Sequence, residues 1–505
     1  MPITYTTLQA NPCVRLLGSR AILALSLVGS VGGCSMDRLL QGAKLPADIK
    51  DPSAFRTKEG ALASYRNAQV SFTNTMGAAA GLNGSRVGAY ANASGLLTDE
   101  IQYVVAATAA YPVNAASYVD NRSVPEDDMS STGLTLSTSI HDPFVGLNDV
   151  RIAARDAANS LARYAPDAPA AFRAHAYALE AFAQVLLAEL YCSGIPLTTL
   201  DPETGYTPTR AFSTEEVLRK TLPILDTALV LAADSARIRN LVQIVRARAY
   251  LNLGAYDSAA LAAREVPIDF TYTLRWENTS LLSSYFTFAP RSNATWMART
   301  MGDRKGTTGL PYVSSGDPRT RARNLSSTIR FPQKFESAGT GALTVASGVE
   351  AQLIIAEAEL AKGNTGASLN ILNALRTTGA FTLQPQQGNP AIVDTTWAVG
   401  GGAALFVGHN PALPGMRPLP DPGTPAGRVS LLFEERAYWL YMTGYRQGDM
   451  RRLVRQYKRR EDQVYPTGRW GPLALTGYGT DVNLPTPVQE RVTNQLYTGC
   501  INRDA

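Results

Sequence analysis

Between residues 171 and 191 the apolar positions Phe172, Leu179, Phe182, Leu186 and Leu190 recur at steps of three and four, and His175 falls in the same register. That spacing predicts one long helix with these side chains on a single face. His175 is then a packed core histidine rather than a ligand or a base. The pattern stops at Tyr191-Cys-Ser-Gly194-Ile-Pro196, where Gly and Pro end the helix. A new start follows at Ser213, which can cap the next helix while Glu216 bonds back and Phe212 staples onto Val217.

Two later stretches share a theme. Residues 236–264 carry Leu253-Gly254 and Tyr256 before Ala259, and residues 350–376 carry Gly363 at a turn with Leu369, Leu372 and Leu375 on one face. Both resemble tetratricopeptide helical hairpins, in which a helix ending near glycine turns into an antiparallel partner and neighbouring pairs stack. About 80 residues of mixed composition separate the two, which is unusual for a plain solenoid. Residues 72–146, 268–348 and 378–428 are rich in Gly, Ser, Thr, Asn, Pro and aromatic residues and lack helical periodicity. Segments of that length are uncommon as structureless loops, so they predict a second, loop-rich half packed on the helices. In residues 431–452, Leu432, Arg436, Trp439 and Leu440 share a helical face. A partly buried Arg436 needs a carboxylate, with Asp449 after the turn at Gly444 as one source and a neighbour of Glu435 as another. Glu434 and Glu435 then belong to the scaffold rather than to catalysis.

The N-terminus differs in kind. Arg15 and Arg20 precede an apolar run from Ala21 to Val31 with no acid nearby, and the run ends on Val31-Gly32-Gly33-Cys34. It is about half the length that a membrane-spanning helix needs. Residues 1–33 fit a signal peptide, and the last four residues resemble the lipobox of bacterial lipoproteins, which makes Cys34 the lipidated first residue of a single mature domain, 34–505. An ordinary secretory signal is the alternative. Ser35 follows without an aspartate, which favours the outer membrane under the lipoprotein reading.

Composition narrows the function classes. Removing residues 1–33 takes two arginines and no acid, leaving 45 basic against 42 acidic residues, a net charge of +3. That balance argues against a nucleic-acid partner, which needs clustered basic residues. Of the four cysteines, Cys13 leaves with the signal and Cys34 takes lipid. Cys192 and Cys500 remain, as one disulfide in an oxidising compartment or as two unpaired buried thiols. His141, His175 and His409 are far apart, so no metal site is expected, and nothing calls for a cofactor.

Several local stretches agree with one family. The lipobox, Gly95-Leu-Leu-Thr-Asp99-Glu100, the helix ending at Tyr191 with Gly194-Ile-Pro-Leu, Asp317-Pro-Arg319, Glu435-Arg436 with Gly444, Arg446, Asp449 and Arg452, and Leu484-Pro-Thr-Pro487 occur in order along nearly the whole mature chain. Together they resemble the SusD/RagB family of surface nutrient-binding lipoproteins. The resemblance implies a mainly α fold of tetratricopeptide-type hairpins with a loop-rich half. It also implies a non-enzymatic outer-membrane protein that sits over a SusC-like TonB-dependent transporter and takes up oligosaccharides or, in some members, peptides.

Catalytic signatures are missing: there is no G-x-S-x-G, H-E-x-x-H, C-x-x-C or G-x-G-x-x-G. Gly400-Gly401-Gly402 sits in a Pro- and Gly-rich tract, and in Gly302-Asp-Arg-Lys305-Gly306 the lysine precedes the second glycine, which breaks the phosphate-loop order. A glycosidase needs two carboxylates flanking the bond; Asp99, Glu100, Asp120, Glu126, Asp127 and Asp128 are available but no pair is marked. A sugar site needs aromatic platforms ringed by polar groups. In the two regions where the resemblance puts the ligand, the candidates are Asn114, Tyr118 and Asp120, beside Tyr103 and Tyr111, and then Tyr285, Trp296, Arg299 and Tyr312. Tyr118 and Trp296 stand among polar residues and are preferred. Two rivals remain: a tetratricopeptide scaffold for protein partners, which predicts contiguous hairpins, and a lipid-anchored glycan hydrolase.

Overall fold

The expected long helix ends at Leu190 and is buried almost all round, not along one stripe. The computed structural model describes residues 56–77, 90–104, 115–125, 133–201, 205–275, 299–320, 322–324, 330–332, 342–377, 416–471 and 476–505. Among the described residues the first elements are helices α1 (Lys58–Gly77) and α2 (Tyr90–Leu97), strand β1 (Ile101–Tyr103) and helices α3 (Ala115–Asn121), α4 (Gly133–Tyr164) and α5 (Ala170–Leu190). From Ala174 onwards α5 buries Glu180, Gln184 and Glu189 as well as its apolar side chains except Tyr177. His175 is packed as expected, with Tyr65 Oη 2.8 Å from Nδ1 and Tyr272 Oη 2.7 Å from Nε2. Burial, with Arg237 adding to it, holds its pKa down at about 3.

After α5 the chain forms two short antiparallel ribbons. Strand β2 (Ile195–Pro196) pairs with β5 (Ala211–Phe212), and β3 (Thr199–Asp201) pairs with β4 (Gly205–Thr207) farther out. Helices α6 (Thr214–Leu231), α7 (Ala236–Asn252) and α8 (Tyr256–Arg264) follow. The start of α6 carries both arms of the expected capping box, Glu216 N–H to Ser213 Oγ at 3.2 Å and Ser213 N–H to Glu216 Oε2 at 2.8 Å. Gly254 turns α7 into α8 with φ +72°, a conformation that costs glycine nothing.

The break between the two hairpins is closed at its base. Strand β6 (Thr271–Arg275) leaves α8 and pairs with β10 (Ala342–Ser347), which runs into helix α9 (Gly348–Ala361). Within the excursion lie β7 (Arg299–Met301), β8 (Ala322–Asn324) and β9 (Arg330–Pro332), with β8 paired to β9. Because β6 and β10 meet, α8 packs directly on α9, and the stack continues through α10 (Thr365–Thr377) to α11 (Pro425–Trp439). Hairpins distant in sequence are therefore contiguous in space. The turn at Gly363, with φ +85°, joins α9 to α10 as expected.

The chain ends with α12 (Arg446–Arg455), the short α13 (Glu461–Val464), the ribbon β11 (Arg469–Trp470) with β12 (Thr476–Gly477), and α14 (Val488–Thr493). Residues Pro52–Ala505 form one compact unit. One expectation is met only in part: residues 72–146 include α2, β1, α3 and the start of α4. All eight residues of α2 are buried, so no face of it is polar and no 3.6-residue pattern exists to be read. Among the described residues no helix is long and apolar enough to cross a membrane.

Candidate functional site

The residues that carried the family resemblance build the scaffold. Arg436 on α11 makes a two-pronged bond to Asp449 on α12, at 2.9 and 2.8 Å, and lies 3.5 Å from Glu357 on α9. Arg452 joins the same acids, bonding Glu357 at 2.9 Å and Asp449 at 2.8 Å. Burial works against ionising Asp449, but Arg436 and Arg452 outweigh it and hold its pKa at about 2. Arg319 bonds Asp317 and Glu435, both at 2.7 Å, and Glu435 also accepts from Arg376 at 2.6 Å. Arg436, Asp449, Glu357, Arg452, Arg319 and Glu435 are buried with their partners, and Asp317 and Arg376 are partly buried at the edge of the group; burial with a partner is the condition for an interior ion pair not to destabilise the fold. The expected Arg436–Asp449 contact is present, and Glu435 serves other arginines.

Cys192 and Cys500 are joined by a disulfide, Cα to Cα 5.9 Å, across a sequence separation of 308. It pins the C-terminal segment to the end of α5, where Cys192 N–H donates to Leu484 O at 2.8 Å and Ile501 N–H donates to Ser193 O at 2.7 Å. Gly194 sits under this crossing: a Cβ there would lie 2.6 Å from the Ile501 nitrogen.

The two candidate ligand regions meet in a ribbon. Strands β1 and β7 pair antiparallel, with Ile101 opposite Met301, Gln102 opposite Thr300 and Tyr103 opposite Arg299. Just beyond the ribbon, Gly302 N–H donates to Glu100 O at 2.8 Å, and a Cβ on Gly302 would fall 1.9 Å from Asp99 O. Only glycine permits that approach. Asp99 itself receives Arg446 Nε at 2.8 Å, Leu310 N–H at 3.0 Å and Tyr312 O–H at 3.2 Å. Burial raises its pKa, yet Arg446 and these donors carry the balance downward. Glu100 Oε1 accepts the Met442 N–H at 2.7 Å.

Lys305 pegs the loop after β7 into the interior. Its ammonium donates to Thr98 O at 2.6 Å, to Ile101 O at 3.1 Å and to Leu96 O, and it lies 2.8 Å from Asp120 Oδ1. Trp470 Nε1 donates to the other carboxylate oxygen of Asp120 at 2.6 Å. Burial lowers the Lys305 pKa and raises that of Asp120, each opposed by the other's charge. The charged lysine is the form that fits, because three carbonyls need three N–H donors and a neutral amine has two. This disposes of the phosphate-loop likeness, since the ammonium is already committed.

Asp120 and Tyr312 are therefore corrected from ligand contacts to supports: both are fully buried and bonded internally. Their place in the two candidate regions could not reveal partners 185 and 213 residues away. Tyr118 is two residues before Asp120 on α3, about 200° round the helix, and is half-buried. Asn114, Tyr285, Trp296, Tyr111 and Cys34 lie outside the described residues, as does the side chain of Arg299, whose backbone is in β7. Sequence reasoning passed over Arg304, Arg330 and Arg469, all exposed around this ribbon. Among the described residues no group of three or more His, Cys, Asp or Glu side chains could hold a metal ion.

The sequence matches no protein-family model and no curated protein. Among solved structures it is similar to a SusD superfamily protein from Bacteroides thetaiotaomicron, with a TM-score of 0.59 and 13% identity over 88% of this chain and 100% of that one. A SusD superfamily protein from Parabacteroides distasonis gives a TM-score of 0.57 at 13% identity, covering 89% of this chain and 99% of that one. A Bacteroides vulgatus protein described provisionally as sugar binding gives 0.53 at 13% identity, over 88% and 98%. The chain thus has the mainly α SusD-like fold, and it spans these structures end to end.

Proposed function

We propose that this protein is a lipid-anchored outer-membrane protein that captures an oligosaccharide on the face around Tyr118 and the β1–β7 ribbon and passes it, without breaking bonds, to a TonB-dependent transporter. The observation that carries this reading is the SusD-like fold over 88% of the chain. The lipobox-like Val31-Gly32-Gly33-Cys34 supports the anchor. Against the hydrolase, Asp99, Glu100 and Asp120 are all fully buried and bonded to Arg446, Met442 and Lys305, whereas a glycosidase needs two carboxylates open to substrate. The continuous stack from α8 to α11 removes the argument that interrupted hairpins excluded a protein-binding scaffold, so that rival must be met by experiment.

The test is twofold. Tagged full-length protein is purified from gently solubilised envelopes, and its companions are identified; a large outer-membrane barrel in stoichiometric amount supports the import reading. A soluble partner, or none, favours the scaffold. In parallel, Cys34→Ala should move the protein from the membrane to the soluble fraction. Retention in the membrane would refute the lipid anchor.

A further inference from the structure

One stretch of the chain is unusually basic for a sequence whose charges nearly balance. In residues 291–334 nine lysines and arginines stand against two acids, Asp303 and Asp317. Among the residues whose side chains the structure describes, Lys305 and Arg319 lie inside, and Arg304 and Arg330 lie outside. Lys305 is neutralised by Asp120, and Arg319 by Asp317 and Glu435. Asp303 accepts the backbone N–H groups of Val313 and Ser314 at 3.1 and 2.9 Å and the Ser314 hydroxyl at 2.9 Å. Asp317 is committed to Arg319, while the partly exposed Asp303 sets one negative charge beside Arg304 and Arg330, which leaves that group net cationic.

Arg304 stands in the loop after β7. It lies between Asp303 and Lys305, is itself exposed, and holds φ at +54°, a conformation uncommon for a residue with a Cβ. Arg304 N–H donates to Leu310 O at 2.9 Å and the neighbouring Lys305 is anchored in the core, so the loop is held in this form from both sides. Arg330 approaches from β9, its backbone N–H bonded to Thr300 Oγ1 at 2.9 Å and its guanidinium 3.8 Å from Asp303. Arg469 stands on the adjoining ribbon, next to Gly468, which abuts Thr307 of the same loop. The Asp120–Lys305 ion pair ties α3 to the loop bearing Arg304, with Tyr118 about 200° round α3 from Asp120. Guanidinium groups match carboxylates and sulfates with two parallel bonds, and a tyrosine ring supplies the apolar face that a sugar ring stacks on.

We infer that the ligand is an anionic oligosaccharide, one bearing carboxylate or sulfate groups that Arg304 and Arg330 recognise. This rests on the glycan reading above and narrows its substrate class. The test is calorimetric titration of the full-length protein in detergent with oligogalacturonate, its methyl ester, a sulfated carrageenan oligosaccharide, maltoheptaose and an oligoglutamate peptide. The charged glycans should bind at least tenfold more tightly than the uncharged ones, with the difference shrinking as salt is added. Arg304→Asn, which keeps a residue tolerant of positive φ, and Arg330→Gln should each weaken the charged glycan at least fivefold while the melting temperature stays unchanged. Equal or tighter binding of the methyl ester or maltoheptaose overturns the inference and leaves the proposed function standing. Binding of oligoglutamate as tightly as the glycans, or of none of the five, overturns both.

Discussion

Removing the ammonium of Lys305 and the carboxylate of Asp120 together should cost less than the sum of the two changes made apart. Lys305→Met leaves Asp120 as a fully buried carboxylate with Trp470 Nε1 at 2.6 Å, and withdraws the donor from Thr98 O and Ile101 O. Breaking a buried pair from one side costs about 3–5 kcal/mol. Asp120→Asn keeps an acceptor for Trp470 but leaves the buried ammonium with its three carbonyls and no counter-charge, so the loss is again that of breaking a buried pair, about 3 kcal/mol. The double variant has neither orphaned charge and should fall short of the sum by about 1–3 kcal/mol. Urea unfolding followed by tryptophan fluorescence gives the three values, with a constant slope confirming the same unfolded state. Additivity within about 0.5 kcal/mol would refute the claim that these two side chains act as one buried unit.

Three further outcomes are expected. Cys192→Ala with Cys500→Ala opens a loop of 308 residues, for which chain entropy sets a ceiling of about 5–6 kcal/mol; denaturation with and without reductant should show a loss of about 2–5 kcal/mol in the parent and no effect of reductant in the variant. His175 titrates near 6.5 when unfolded and at about 3 when folded. The unfolded state therefore binds more protons below pH 6.5, stability is lost as pH falls, and about 2 kcal/mol should vanish between pH 7 and pH 5 in the parent relative to His175→Gln. Identical pH profiles would contradict the buried neutral imidazole. Gly302→Ala drives a Cβ to 1.9 Å from Asp99 O and should cost about 3 kcal/mol or more; a thermal shift equivalent to under about 1 kcal/mol would show that the β1–β7 junction yields freely.

Local chemistry determined what local sequence could show. The end of α5 before Gly194, the capping box at Ser213 and Glu216, and the turn at Gly363 each follow from residues within a few positions of one another. The burial of His175 followed from its place in an apolar register. Tertiary structure alone decided the rest, because the partners are hundreds of residues apart. Pairing of β6 with β10 restores the helical stack that the sequence interrupts, and pairing of β1 with β7 brings Tyr103 opposite Arg299. Asp120 and Tyr312 look like ligand residues in isolation, but Lys305 and Asp99 claim them in the fold. Arg304 reads as one basic residue among many until Lys305 turns inward and its own backbone is fixed at positive φ. A chain of L-residues records the periodicity of its own helices, but which charge is neutralised and which faces solvent is settled only when distant segments compete for the same interior.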